Sequence, residues 1–179
     1  MKYMLDYCPD EGIKERVQEK ALVWMHPQIE ECYTHAVVAD YHIDTSKINI
    51  AYFGTFYEQR PIEDILPLAT RKDVILHLFI PNHEDYVSYG GDQIIINPPW
   101  SYLNFLNIAS RMDYLFLQDM EPVKGMTPWL PSKLSDYLAT KTPIIAVYNE
   151  GSPLALHESS QIIKIKNISP DFLGSLRKK

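Results

Sequence analysis

The chain has 179 residues, 17 Lys+Arg against 23 Asp+Glu, and a formal net charge of −6, with 46% apolar and 22% charged residues. That is about one domain, long enough to bury a core without a metal or a disulfide framework. The composition excludes collagen, coiled coil and wholesale disorder, and the acidic balance argues against a nucleic-acid partner, whose phosphates need clustered Lys and Arg.

Cys8 and Cys32 match no zinc spacing and read as reduced thiols of a cytoplasmic protein. The first residues meet Asp6 and Asp10 with no apolar run behind them, so no signal peptide is expected. Nowhere do about 18 apolar residues follow one another, the minimum for a membrane span.

In chain order, apolar residues at three- and four-residue steps (Ile13, Val17, Ala21, Leu22, Met25) predict a helix over 11–25, started near Asp10 and stopped at His26-Pro27. A short helical turn over 29–33, a strand over 36–39 and a polar joint over 40–47 follow. Strands are predicted at 48–53, 73–80, 93–97, 113–118, 143–148 and 162–165. Helices are predicted between and after them at 62–70, entered through Pro61, at 101–111, capped by Ser101 with Leu103, Leu106, Ile108 and Ala109 inward, at 131–140, with Leu134, Tyr137 and Leu138 inward, and at 171–177. His83-Glu84-Asp85 reads as a polar loop, and His77, in mid-strand, as a core residue with its hydrogen bonds satisfied.

Strands of nearly continuous Val, Ile, Leu and Phe are covered on both faces, and their alternation with helices gives right-handed βαβ units. The expected fold is α/β: a single Rossmann-like, doubly wound parallel sheet over residues 47–179, with residues 1–46 as a helical and extended N-terminal entry segment packed on it. Such a sheet binds ligands outside the carboxyl ends of its strands, and three segments there carry suitable chemistry.

The first is Gly54-Thr55-Phe56-Tyr57-Glu58-Gln59-Arg60, where a glycine allows a sharp turn and close approach and Arg60 is placed to meet an anionic oxygen. It is neither a dinucleotide fingerprint nor a Walker loop. The second is Pro131-Ser132-Lys133-Leu134-Ser135-Asp136, a helix start with unpaired amides and a lysine, suited to phosphate, with Asp136 one turn beyond Ser132 and placed to accept from ribose hydroxyls. The third is Asn97-Pro98-Pro99-Trp100, a stiff loop offering polar groups and an apolar wall to a nucleobase. Each segment also has a plain structural reading: a turn, a cap and a packed loop.

The run PSKLSDYLATKTPIIA over 131–146 resembles the C-terminal half of GT-B glycosyltransferases. There a P-x-K-L-x-E-Y-x-A-x-G-x-P-V-V-A stretch leads from the donor-site helix into the next strand. IAYFG over 50–54 and YLNFL over 102–106 before DYL over 113–115 add to the resemblance, which covers about residues 47–179. It implies a nucleotide-sugar-binding half that transfers a hexose from a nucleoside-diphosphate sugar such as UDP-sugar to an unknown acceptor. The acceptor would sit on an N-terminal domain in cis or on a partner chain, and that other half is where a peripheral membrane contact would lie. Gly54, Thr55, Arg60, Ser132, Lys133 and Leu134 would hold the diphosphate, Asp136 the ribose, and Asn97, Pro98, Pro99 and Trp100 the base. No metal or cofactor is implied, because the cations neutralise the departing diphosphate. No catalytic residue is assigned. The chain departs from the family pattern in having Asp136 for a glutamate, Pro128 where many relatives have a second glutamate, and Lys141-Thr142 in place of Gly-Lys. An interaction or regulatory module with a degenerate nucleotide pocket, and a nucleotide-sugar epimerase-like enzyme, are the alternative readings.

Overall fold

The fold is described from a computed structural model, for residues 10–20, 29–120, 127 and 129–178. Its helices are α1 (Glu11–Lys20), α2 (Tyr102–Ser110), α3 (Lys133–Ala139), α4 (Pro153–Leu156) and α5 (Pro170–Ser175). Its strands are β1 (Ile48–Phe53), β2 (Val74–Phe79), β3 (Ile94–Asn97), β4 (Tyr114–Gln118), β5 (Ile144–Val147) and β6 (Ile162–Ile165). The strands form one sheet in the order β3-β2-β1-β4-β5-β6, with every pairing parallel. The predicted doubly wound α/β fold is therefore present, and the strand order reverses direction between β1 and β4.

Side-chain alternation builds a core on each face of the sheet. Ile48, Ile50 and Tyr52 of β1 join Leu76, Leu78, Phe116 and Ile145 on one face, while Ala51 and Phe53 join Phe79, Leu115, Leu117 and Ala146 on the other. All six residues of β1 are buried, whereas β3 and β6, at the edges, are partly exposed. Burial of this kind is worth about 25 cal/mol per Å² of apolar surface, so the central strands dominate stability.

Several local expectations change. The predicted helix over 62–70 is two 3₁₀ turns, Ile62–Asp64 and Leu66–Thr70. Pro67 has no N–H to donate, and its ring obstructs the carbonyl four residues earlier, so an α-helix cannot run through it. The predicted strand over 36–39 is absent. The Ala39 amide donates to Oδ1 of Asn107 at 3.0 Å and its carbonyl accepts from Arg111 at 3.0 Å, so α2 takes the groups a ladder would need. The turn expected over 29–33 is a 3₁₀ helix at Glu31–His35, and His83–Tyr89 is another where a loop is predicted. Ser101 precedes α2 but its side chain makes no capping bond; its carbonyl accepts from the Phe105 amide at 2.8 Å. Asp10 does cap α1, accepting from the Ile13 amide at 3.1 Å. Residues 21–25 of the predicted first helix, His26-Pro27, Cys8 and Pro128 lie outside the described residues.

The joint over 40–47 is less polar in its packing than in its sequence, because Tyr41 and Ile43 pack on the core. Tyr41 enters a buried relay whose proton directions can be deduced. Asn49 donates its side-chain amide to the carbonyls of Asp44 (2.9 Å) and Lys47 (3.0 Å), so its Oδ1 is an acceptor. His77, fully buried, must then donate from Nε2 to Asn49 Oδ1 (2.9 Å), which leaves Nδ1 to accept from the Tyr41 hydroxyl (2.7 Å). Tyr41 accepts in turn from Asn97 at 3.1 Å. His77 is the satisfied core residue the sequence suggests.

The divergence of β1 from β4 leaves one amide needing a partner. Tyr137 of α3 is fully buried, and its hydroxyl accepts from the Phe53 amide at 3.1 Å. Tyr137→Phe keeps the ring and strands that amide, so a loss of about 1–3 kcal/mol is expected in urea denaturation. A loss under about 0.5 kcal/mol would show that the bond does not hold the crevice together.

Two residues past the end of α3, Lys141 has φ 58°, the left-handed region where the resembling family carries glycine. Holding a lysine there costs about 1 kcal/mol. Gln161 offsets part of that cost by donating to the carbonyls of Tyr137 (2.9 Å) and Thr142 (2.7 Å).

Candidate functional site

At the carboxyl ends of β1 and β4, where the strand order reverses, lies a cavity of about 580 Å³. Doubly wound sheets place ligands at this point. Its wall is built from the end of β1 and the turn after it (Tyr52 to Thr55, Tyr57, Arg60), from Pro99, Trp100, Tyr102 and Phe105, from Leu117, Gln118 and Met120, and from Thr127 and residues 129–133.

Gly54 continues the ladder, its amide donating to the Phe79 carbonyl at 3.1 Å. Its φ is not positive, so turn geometry is not what requires glycine here. The Tyr52 ring is: a Cβ at Gly54 would stand 2.7 Å from the Tyr52 hydroxyl oxygen. Tyr52 is fixed by stacking on Phe56 (centroids 4.6 Å apart) and by donating to the Thr55 carbonyl at 2.9 Å. Burial pushes its ionisation up to about 12, so it remains a neutral donor.

Arg60 donates from Nη2 to the Thr55 carbonyl at 3.1 Å and to the Tyr57 hydroxyl, and its guanidinium lies 4.8 Å from the Tyr57 ring centre. Its Nε is buried and has no hydrogen-bond partner. The end of the guanidinium that a ligand on the wall meets is the exposed one, where Nη2 makes its bonds, and an anionic oxygen is the group that best pairs with it. Lys133, the first residue of α3, also lines the cavity, with Nζ 5.6 Å from the Phe105 ring centre.

The residues singled out from the sequence divide into two groups. Gly54, Thr55, Arg60, Pro99, Trp100, Ser132 and Lys133 meet at the cavity wall. Leu134, Asp136, Asn97 and Pro98 do not line it. Leu134 is buried in the core and its amide donates to the Pro131 carbonyl at 3.0 Å. Asn97 is buried and gives its side-chain amide to Tyr41 and to the Ile95 carbonyl. Asp136 accepts the Tyr102 hydroxyl at 2.7 Å. Sequence reasoning carries Tyr57 only as part of its segment and assigns no role to Tyr102, Gln118, Thr127 or Trp129, all wall residues. A single exposed aromatic carries no positional signal until the fold says which end of the sheet it stands on.

Behind the wall, Asp119 is buried at the tip of β4. One oxygen accepts the Asn149 amide at 2.9 Å and the other has no partner, and burial pushes the carboxyl up from its ordinary range. Asn149 donates to the Met120 carbonyl (2.7 Å) and to Thr127 Oγ1 (2.8 Å), which fixes two residues of the wall. Among the described residues, the wall itself contains no Asp, Glu or His.

No family model matches this chain and no curated protein does. Solved structures similar to it include a UDP co-structure of MnaA from S. aureus, at 12% identity and TM-score 0.43 over 66% of this chain and 34% of that one. Another is a putative UDP-N-acetylglucosamine 2-epimerase from Listeria monocytogenes, at 13% identity and TM-score 0.41 over 65% and 33%. A third is the C-terminal domain of a glycosyl transferase group 1 family protein, LpcC, from Francisella tularensis, at 14% identity and TM-score 0.43 over 66% and 69%. The chain spans about a third of the length of the first two. Among the described residues no helix is long and apolar enough to cross a membrane.

Proposed function

We propose that the cavity binds a nucleoside-diphosphate sugar and that the chain is the donor-binding half of a GT-B glycosyltransferase, handing a hexose to an acceptor held by an N-terminal domain or a partner chain. The observation that carries this reading is the Arg60 guanidinium, held by Thr55 and Tyr57, on the wall of a cavity at the reversal point of the sheet. With Lys133 it gives the cavity a donor-rich cationic side for a diphosphate, and Trp100, Tyr57 and Trp129 offer flat apolar surface to a base. Because those cations meet the charge that grows on the departing diphosphate, they can carry its stabilisation without an essential metal.

Transfer and epimerisation differ in the base they need. Epimerisation by proton removal from a sugar carbon needs a base within reach of the ring. The described wall has cations and hydroxyls but no carboxylate or imidazole. In either reading the base comes from outside the described wall; in the proposed one it comes with the acceptor-binding part.

Calorimetry with UDP, GDP and ADP, each alone at up to millimolar concentration, is expected to give saturable binding for at least one. No heat with any of the three overturns the proposal. Product analysis in the presence of an acceptor separates transfer from epimerisation, since the latter needs none.

A further inference from the structure

One wall of the cavity differs in chemistry from the cationic side. Tyr102 opens α2 and lines the cavity, while Asp136, in the first turn of α3, does not. The two helices are joined by the Tyr102 hydroxyl donating to Asp136 Oδ1 at 2.7 Å. A phenol has a single proton, and here that proton is committed to the carboxylate. Burial and the neighbouring carboxylate push Tyr102 ionisation up to about 12, so it keeps this proton at neutral pH. The ring packs on Phe105 with centroids 5.8 Å apart, which restricts where the oxygen can go.

The phenolic oxygen therefore has only lone pairs left to offer, and the bond to a carboxylate makes it a better acceptor. Ionised phosphate oxygens carry no proton to give it, and they already suit Arg60 and Lys133. The groups of a nucleoside-diphosphate sugar that can donate to it are hydroxyls and the N–H groups of the base, and with the base set against Trp100, Tyr57 and Trp129 the hydroxyls are left. We propose that Tyr102, oriented and polarised by Asp136, is the residue that reads ligand hydroxyls, those of the ribose or of the transferred sugar, and that Asp136 acts through it without touching the ligand. This rests on the nucleotide-sugar reading and assigns its specificity.

The test is calorimetry on the full chain, as wild type, Tyr102→Phe and Asp136→Asn, with UDP, GDP and ADP, their 2′-deoxy and 3′-deoxy forms, and UDP-glucose. If a ribose hydroxyl is read, the wild type binds the parent diphosphate about tenfold tighter than one deoxy form, and Tyr102→Phe brings the parent down to the deoxy level while leaving the deoxy affinity unchanged. If a sugar hydroxyl is read, Tyr102→Phe instead removes the gain of UDP-glucose over UDP. Asp136→Asn shifts the same ratio in the same direction. The proposal is overturned if the wild type shows no such preference, or if the ratios in Tyr102→Phe stay at wild-type values. It is also overturned if Tyr102→Phe tightens binding while Asp136→Asn weakens it, for then the carboxylate reads the ligand and the phenol merely covers it. Absence of binding by every nucleotide refutes the parent reading and this one together, whereas an unmoved ratio refutes only this one.

Discussion

Arg60→Ala is expected to weaken nucleoside-diphosphate binding about a hundredfold, the loss associated with removing charge-assisted hydrogen bonds to a phosphate oxygen. The guanidinium is already positioned at the cavity wall: Thr55 and Tyr57 hold Nη2 and the Tyr57 ring supports the plane. A ligand therefore gains the interaction without having to order the side chain, which is where much of the cost of such contacts lies. Arg60→Lys restores a charge but not the planar fork, so an intermediate loss of about tenfold is expected. The fold should hold in both variants, because the bonds Arg60 makes within the protein are exposed. Titration calorimetry with the tightest of UDP, GDP and ADP decides it. An Arg60→Ala protein that binds within twofold of wild type would remove the cationic cradle from the account.

Acid is expected to destabilise the fold through His77, and by a comparable free energy. Burial in β2 pulls its pKa down from 6.5 to about 4. In the unfolded chain the imidazole takes a proton below about pH 6.5; in the native protein Nδ1 is occupied by the Tyr41 hydroxyl and stays unprotonated until about pH 4. The native state therefore binds fewer protons in that window. The stability His77 contributes is complete above pH 6.5 and falls with pH until both states are protonated, by about 3 kcal/mol in all. Urea denaturation of the wild type at pH 7 and at pH 4.5, compared with His77→Gln, isolates the effect, since the carboxylates that titrate in that interval are common to both proteins. The buried Asp119 carboxyl, raised by burial, has the opposite sign and is common to both proteins. Equal slopes in wild type and His77→Gln would show that the relay tolerates a charged imidazole.

The strands were readable because each is a nearly unbroken apolar run, a pattern that only a sheet covered on both faces demands. The misreadings have local causes. At 62–70 the apolar spacing outweighed Pro67, which forbids the regular helix. At 36–39 the apolar residues suggested a strand, but Asn107 and Arg111, about seventy residues away in sequence, claim the backbone of Ala39. The candidate site was readable to the extent that the strand ends could be placed: Gly54, Arg60, Trp100, Ser132 and Lys133 converge because the fold brings those loops together. Asn97 and Leu134 were named for their neighbours in sequence, yet Tyr41 and the core claim them. Tyr102 escaped notice because its partner, Asp136, stands on another helix.

The central pairing of the sheet has a consequence for how the molecule is made. Ile50 of β1 pairs with Tyr114 of β4, across the whole of β2 and β3. A chain leaving the ribosome can zip β1 to β2 and β3 well before β4 emerges, and in that interval the other side of β1 is an uncovered edge, apolar but for Asn49. At about 5–20 residues per second the gap lasts on the order of a second or more. During it, β1 is the segment a second nascent chain or a chaperone would seize first. The same strand that later forms the floor of the cavity is thus the molecule's point of greatest risk during synthesis.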